Sequence, residues 1–204
     1  MRKLLLTSTG FSNKHIEKLF LQNINKTADK IKVIFVPTAA NCDDSKEMLP
    51  YCMLDLLNAG ILKENILIYE LKYLMSAKNS RVHKAGDAEI SINFRLLSYD
   101  EIMQYDAIYF CGGYSEILLD EINRTGFNDV LKKAVDNGLF YIGVSAGSIV
   151  TAGNLSDNLG YIKNELSVHA ESGTSCGLLP DNEKIALTNS QAICIEGNKC
   201  EIID

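Results

Sequence analysis

The sequence lacks the usual signs of a metal or disulfide framework. Tryptophan is absent from its 204 residues, and proline occurs only three times. Its six cysteines form no CxxC pair, and its three histidines have neither HxxxH nor HxH spacing, which argues against a zinc site. Six cysteines are also too few for a disulfide scaffold. We expect structural cysteines instead, with Cys111 and Cys194 buried as small hydrophobic side chains. The cysteines are Cys42, Cys52, Cys111, Cys176, Cys194 and Cys200.

Long apolar runs and excess positive charge are also missing. No apolar run reaches 18 residues, so no membrane-spanning helix is predicted. Twenty basic against 26 acidic residues give a net charge of −6, which argues against nucleic acid as the main partner. Residues 1–8 begin with positively charged side chains, as a signal peptide does, but the apolar stretch that follows is too short for a signal peptide. We predict a first β-strand there.

The hydrophobic pattern alternates between strand-like and helix-like segments. The chain length and the composition, with 47% hydrophobic and 23% charged residues, predict one globular domain over residues 1–204. Apolar runs predict strands at 3–8, 31–36, 66–71, 108–111 and 139–143. Helical spacing predicts helices at 12–22, 45–58, 115–123 and 128–137, the first capped by Ser12 or Asn13. This order predicts an α/β fold with a mostly parallel sheet flanked by helices.

Two regions depart from the alternation. Residues 72–98 are polar and irregular, and they are compatible with a lid, an insertion or a solvated loop, of which we favour the loop. The end of the chain predicts β-hairpins. Segments 185–188 and 192–195 flank a turn, and Gly197-Asn198 then turns towards 200–203.

Residues 143–147, Gly-Val-Ser-Ala-Gly, match the G-x-S-x-G nucleophile elbow. The motif follows an apolar strand and precedes a helical pattern, which is the strand–turn–helix context that the elbow needs. Small flanking residues allow the tight turn that exposes the hydroxyl of Ser145, and the backbone N–H of Ala146 would donate to an oxyanion. The alternative is an ordinary glycine-rich turn between a strand and a helix.

A nucleophilic serine needs a base and a group that orients the base. His169 is the only histidine after Ser145 and is the candidate base. The chain order Ser–acid–His of elbow hydrolases favours Asp157 or Glu165 as the orienting carboxylate. The alternative interpretation of each residue, taken alone, is a solvated carboxylate on the protein surface. The downstream candidates, after the histidine, are Glu171, Asp181 and Glu183.

A pair of glycines, Gly112-Gly113, ends the predicted strand at 108–111. Exposed backbone N–H groups at this strand end could complete an oxyanion hole opposite the elbow. A tight turn that needs positive φ explains the pair equally well.

These segments together resemble the peptidase E family, the aspartyl dipeptidases, whose fold is similar to that of class I glutamine amidotransferases, a flavodoxin-like three-layer sandwich. The similarity is carried by residues 4–8 (Leu-Leu-Leu-Thr-Ser), 33–39 (Val-Ile-Phe-Val-Pro-Thr-Ala), Gly112-Gly113, 141–148 and 189–192 (Asn-Ser-Gln-Ala).

The resemblance implies a cytoplasmic serine peptidase that needs no metal or other cofactor. Its substrates would be dipeptides and some short peptides with an N-terminal aspartate, and its partners would include neither nucleic acid nor a membrane. By the same resemblance, Ser145 is the nucleophile, His169 the base and Asp157 its acidic partner. Gly113 and Ala146 supply the N–H groups of the oxyanion hole.

Three departures from the family pattern bear on function. Tyr114-Ser115 stands where the family commonly has Asn-Thr. The family arginine that receives the substrate aspartate has no counterpart, because only Lys184 and Lys199 are cationic between His169 and the last residue. The stretch from Ser145 to the final hairpin is also short. A catalytically impaired relative that acts as a binding or regulatory module is therefore the alternative. An amidotransferase-like hydrolase is disfavoured, since those enzymes have cysteine at the elbow.

Overall fold

The fold is known from a computed structural model that describes residues 1–74, 83–85, 88–90, 95–181 and 183–204. Its strands are β1 Lys3–Thr7, β2 Val33–Val36, β3 Ile66–Ile68, β4 His83–Ala85, β5 Ala88–Ile90, β6 Ala107–Phe110, β7 Phe140–Val144, β8 Leu166–Ser167, β9 Gly177–Leu178, β10 Ile185–Ala186, β11 Ala192–Glu196 and β12 Lys199–Ile203. Its α-helices are α1 Lys14–Ile24, α2 Asp43–Glu47, α3 Leu49–Asn58, α4 Tyr99–Ile102, α5 Ser115–Thr125, α6 Phe127–Asp136 and α7 Ala146–Ile149. Short 3₁₀ helices lie at Ala28–Lys30, Lys63–Asn65 and Leu71–Tyr73.

The central sheet has eight strands in the order β3-β2-β6-β7-β1-β11-β12-β9. The first five of these are parallel to one another, and β11, β12 and β9 extend the sheet with antiparallel pairs. The predicted mostly parallel sheet flanked by helices is confirmed. Because β1, β2, β6 and β7 run in the same direction, their carboxyl ends meet at one edge, where ligands bind in sheets of this kind.

Two apolar layers cover the two faces of the sheet. One contains Leu4 and Leu6 of β1 with the buried faces of α5 and α6, and the other contains Leu5 with Phe20 of α1. Successive strand residues therefore enter opposite layers, as the two-residue repeat of a strand requires. Full burial on both faces explains why the parallel strands read as continuous apolar runs.

Helix α1 has Asn13, rather than Ser12, as its N-cap residue. The segment predicted as one helix at 45–58 is divided into α2 and α3. Pro50 lies in the first turn of α3, where its missing N–H costs nothing, and it would have removed a hydrogen bond from the interior of a longer helix.

The two C-terminal hairpin predictions have different outcomes. Strands β11 and β12 pair as an antiparallel hairpin around Gly197-Asn198, as predicted. The first predicted hairpin is wrong, because β10 pairs with β8 in parallel and not with β11. The segment between β10 and β11 is thereby free to form a separate turn near the carboxyl end of β1.

The prediction for residues 72–98 falls in part outside the described residues. Two strands of this region, β4 and β5, form a separate antiparallel pair. Across the described part of the chain, no helix is long and apolar enough to cross a membrane.

Candidate active site

Ser145 occupies a strained turn between β7 and α7. Its φ of 48° and ψ of −105° are unusual for a residue with a side chain, and its N–H donates to the carbonyl of Thr7, 2.9 Å away. Gly147 is required by close packing, because a Cβ atom there would lie 2.6 Å from the carbonyl oxygen of Phe110. The turn is the predicted elbow, and its small residues allow the backbone of α7 to approach strand β6.

Ser148 holds the elbow from below, a role that the motif did not reveal. Its buried Oγ lies 2.8 Å from the carbonyl oxygens of both Thr7 and Gly143. The hydroxyl therefore ties α7 to the carboxyl ends of β1 and β7. Hydrogen bonds of this kind fix a strained turn, since the surrounding structure has to offset its cost.

His169, the candidate base, lies against the elbow. Its Nε2 is 3.1 Å from Ser145 Oγ, which is hydrogen-bonding distance. The histidine follows β8 with a φ of 57°, and its own N–H donates to Ser8 Oγ at the end of β1. Ser8 Oγ in turn donates to the carbonyl of Leu187, so the base is fixed to two other segments of the chain.

Asn189 is the residue that contacts the other nitrogen of the imidazole. Its Oδ1 lies 2.9 Å from His169 Nδ1. An amide oxygen can only accept, so this contact selects the tautomer with hydrogen on Nδ1 and leaves Nε2 to accept from the hydroxyl of Ser145. Sequence reasoning assigned Asn189 no role, although it begins the 189–192 segment that carried part of the resemblance.

Asp157, the predicted acidic partner, is not brought to His169. It is exposed in a turn after α7, and its backbone carbonyl accepts a hydrogen bond from Asn123. The other candidate in that interval, Glu165, forms an exposed ion pair with Lys184 at 2.6 Å. Chain order suggested both carboxylates, and the family resemblance suggested Asp157, whereas the turn after β10 is what reaches the imidazole.

Two backbone N–H groups are available for an oxyanion hole, those of Gly113 and Ala146. Among the described residues, neither donates to a protein acceptor. Gly113 has a φ of 137°, and a Cβ atom there would collide with the carbonyl oxygen of Ala39. The next residue, Tyr114, donates its N–H to the same carbonyl at 2.9 Å, which anchors the loop beside the elbow.

A cleft of about 420 Å³ opens beside Ser145 and His169. Its lining residues are Ser8, Thr9, Cys42, Asp44, Ser45, Met48, Leu49, Tyr51, Cys52, Asp55, Cys111, Gly112, Gly113, Tyr114, Val144, Ser145 and His169. The volume is within the range of small-molecule sites, so the cleft can hold a small ligand next to Ser145.

Three of the six cysteines line this cleft. Hydrogen bonds from Ser45 lower the pKa of Cys42, and a hydrogen bond with Cys111 lowers that of Cys52. Burial raises the pKa of Cys111 well above its usual value. Cys111 and Cys194 are buried, as predicted. Within the described residues, no group of three or more histidine, cysteine, aspartate or glutamate side chains is arranged to hold a metal ion.

Comparison with known families gives a direct match. The profile of peptidase family S51 matches residues 82–182. An uncharacterized peptidase of Pasteurella multocida (strain Pm70) is 30% identical over 155 residues, which are 76% of this chain and 62% of that protein. Peptidase E of Streptomyces coelicolor is 40% identical over 74 residues, which are 36% of this chain and 26% of that protein. The matched region therefore spans less than two thirds of these relatives.

Solved structures match the whole fold. A proposed peptidase E protein from Listeria monocytogenes EGD-e superimposes with a TM-score of 0.66 and 20% identity, covering all of this chain and 98% of that one. A peptidase from an acI-B1 Actinobacterium gives a TM-score of 0.60 with 15% identity, covering all of this chain and 87% of that one. At such identities the likeness concerns the fold.

Proposed function

The chain belongs to peptidase family S51, and from this premise we propose that it is a serine peptidase that hydrolyses dipeptides or short peptides. The observation that carries the proposal is the 3.1 Å contact between His169 Nε2 and Ser145 Oγ. A nucleophile within hydrogen-bonding distance of a base, on a strained elbow beside an open cleft, is the arrangement that acyl transfer requires.

The proposed reaction begins with proton transfer from Ser145 Oγ to His169 Nε2. The freed oxygen attacks the carbonyl carbon of the substrate and forms a tetrahedral oxyanion, towards which Gly113 and Ala146 donate their N–H groups. The imidazolium then gives its proton to the leaving amine, and the C–N bond breaks to leave an acyl-enzyme. Water then gives a proton to His169 Nε2 and attacks the carbonyl carbon of the ester. The C–O bond to Ser145 breaks, the acid is released, and His169 returns the proton to Ser145 Oγ.

Asn189 would orient the base in this reaction. Its Oδ1 accepts from Nδ1–H and holds the ring with Nε2 towards Ser145. A neutral amide supplies orientation but less charge stabilisation than a carboxylate would give to the imidazolium. We therefore assign Asn189 a positioning role in place of Asp157.

The decisive experiment is labelling with a fluorophosphonate, which reacts with an activated serine. We expect stoichiometric labelling of Ser145, and hydrolysis of at least one dipeptide by the purified chain. Both should be lost in Ser145→Ala and kept in Ser156→Ala, a control at an exposed serine of the same region. If the folded protein shows no labelling and no turnover, the non-catalytic binding module is favoured instead. A cytoplasmic location remains part of the proposal.

A further inference from the structure

The cleft beside Ser145 differs chemically from a receptor for an acidic side chain. We infer that it selects peptides whose N-terminal side chain is uncharged and apolar, and that it discriminates against N-terminal aspartate. The inference rests on the proposed function, in which the residue whose carbonyl is attacked places its side chain in this cleft.

The charged groups of the cleft disfavour an acidic substrate side chain. Two carboxylates, those of Asp44 and Asp55, line it, and no lysine or arginine does so within the part of the chain that the structure describes. A substrate carboxylate entering the cleft would lose water without gaining a cationic partner, and it would meet charge of its own sign. The same negative lining suits the α-ammonium group of a dipeptide.

Asp55 is held rigidly at the wall of the cleft. Its Oδ2 accepts from the N–H of Phe11 and from the hydroxyl of Tyr109, each at 2.9 Å. Burial raises the pKa of its carboxyl group, which agrees with a poorly hydrated setting. The Asp55 carboxylate therefore stays at the wall of the cleft when a substrate carboxylate enters.

Exposed apolar side chains around the cleft favour an apolar substrate side chain. Met48, Tyr51 and Tyr114 are 55%, 63% and 48% exposed, and all three line the cleft. Large apolar side chains that stay exposed around one concavity mark a binding surface, because their burial by a ligand is favourable. Val144, next to the nucleophile, continues this surface to the reacting atoms.

Binding to the Ser145→Ala protein tests the selectivity without requiring turnover. Leu-Ala, Asn-Ala and Asp-Ala have N-terminal side chains of nearly equal size, so their comparison isolates polarity and charge. We expect Leu-Ala to bind at least about tenfold more tightly than Asp-Ala in calorimetric or NMR titrations, with Asn-Ala between them. Binding of Asp-Ala as tight as that of Leu-Ala, or no binding of any of the three, overturns the inference.

A charge placed in the cleft provides a second test. In the same Ser145→Ala background, Met48→Arg should shift the affinity ratio towards Asp-Ala by about three- to fivefold, since the new ion pair is partly exposed. Leu54→Arg is the matched control, because Leu54 is 44% exposed but does not line the cleft. No shift in Met48→Arg, or an equal shift in the control, contradicts the assignment of the cleft.

Turnover by the unmodified chain separates this inference from the proposed function. A protein that binds Leu-Ala selectively but hydrolyses nothing would refute the peptidase and leave the selectivity intact. Faster hydrolysis of Asp-Ala than of Leu-Ala, abolished in Ser145→Ala, would refute the selectivity and support the peptidase.

Discussion

At the scale of single residues, the most unusual backbone conformation is that of the proposed nucleophile, Ser145. Four residues other than glycine have positive φ among those described: Asn25, Ser145, Asp157 and His169. Asparagine, aspartate and histidine adopt this conformation more readily than other side-chain residues, whereas serine adopts it at a cost. The costly case is Ser145, whose φ of 48° combines with a ψ of −105° and whose Oγ lies 3.1 Å from His169 Nε2. Strain that persists at contacting polar groups is typical of functional sites.

The contact between Asn189 and His169 leads to a prediction about activity. We expect Asn189→Ala to lower kcat at least about tenfold, a part of the 10²–10⁴ that a positioned base supplies, because the imidazole loses its fixed tautomer. Asp157→Ala should leave kcat within about twofold, since Asp157 is exposed away from the ring. Steady-state rates of both variants over a range of pH decide between the two residues, and a larger loss in Asp157→Ala would restore the carboxylate as the partner.

At the scale of elements, the loop between β1 and α1 holds the turn that carries Asn189. The hydroxyls of Thr9 and Ser12 donate to the carbonyl of Asn189, and Asn13 Nδ2 donates to that of Ser190. Asn13 also caps α1, because its Oδ1 accepts from the N–H of His15. One side chain thus joins the start of a helix to the segment behind the base.

Substitution at Asn13 should separate these two roles. Asn13→Ala removes the cap and the tie to Ser190, and we expect it to lower the free energy of unfolding by about 1 kcal/mol and also to lower kcat. Asn13→Ser keeps an oxygen for the cap but has no amide N–H for Ser190, so it should keep most of the stability and still lower kcat. Urea denaturation together with steady-state kinetics measures both effects. Equal activity in Asn13→Ser and the unmodified protein would show that the tie does not matter.

At the scale of the whole molecule, one sheet separates two apolar layers and continues into the C-terminal hairpin. Strand β1 lies between the parallel strand β7 and the antiparallel strand β11, so the first and last parts of the chain share one sheet. Side chains of β1 enter both layers. Loss of β1 or β11 would therefore expose both layers, and we predict on this basis that the chain unfolds as one cooperative domain.

A single unfolding transition is the expected outcome for such an arrangement. We predict that far-ultraviolet circular dichroism and tyrosine fluorescence, from nine tyrosines without tryptophan, change together in urea. Ile193→Ala, at a fully buried position of β11, should lower the free energy of unfolding by about 2–5 kcal/mol, and both signals should report the same loss. Two separated transitions, or a shift of only one signal, would argue for independent units instead.

Features set by neighbours in the chain were predictable from the sequence. The parallel strands were visible because burial on both faces requires continuous apolar runs. The elbow was visible because its steric demands fall on five consecutive residues, 143–147, and the final hairpin because Gly197-Asn198 suits a tight turn. His169 was found by elimination, since it is the only histidine after Ser145.

The remaining features depend on contacts between distant parts of the chain. Pairing of β10 with β8, and not with β11, positions the turn of Asn189 over the imidazole, and no local pattern encodes that choice. The lining of the cleft is likewise assembled from five separate segments. The sequence by itself thus determined the sheet, the elbow and the place of the candidate nucleophile, because these follow from local sterics and burial. Tertiary structure decided which residue contacts the imidazole of His169 and the charge of the cleft, because packing brings those groups together.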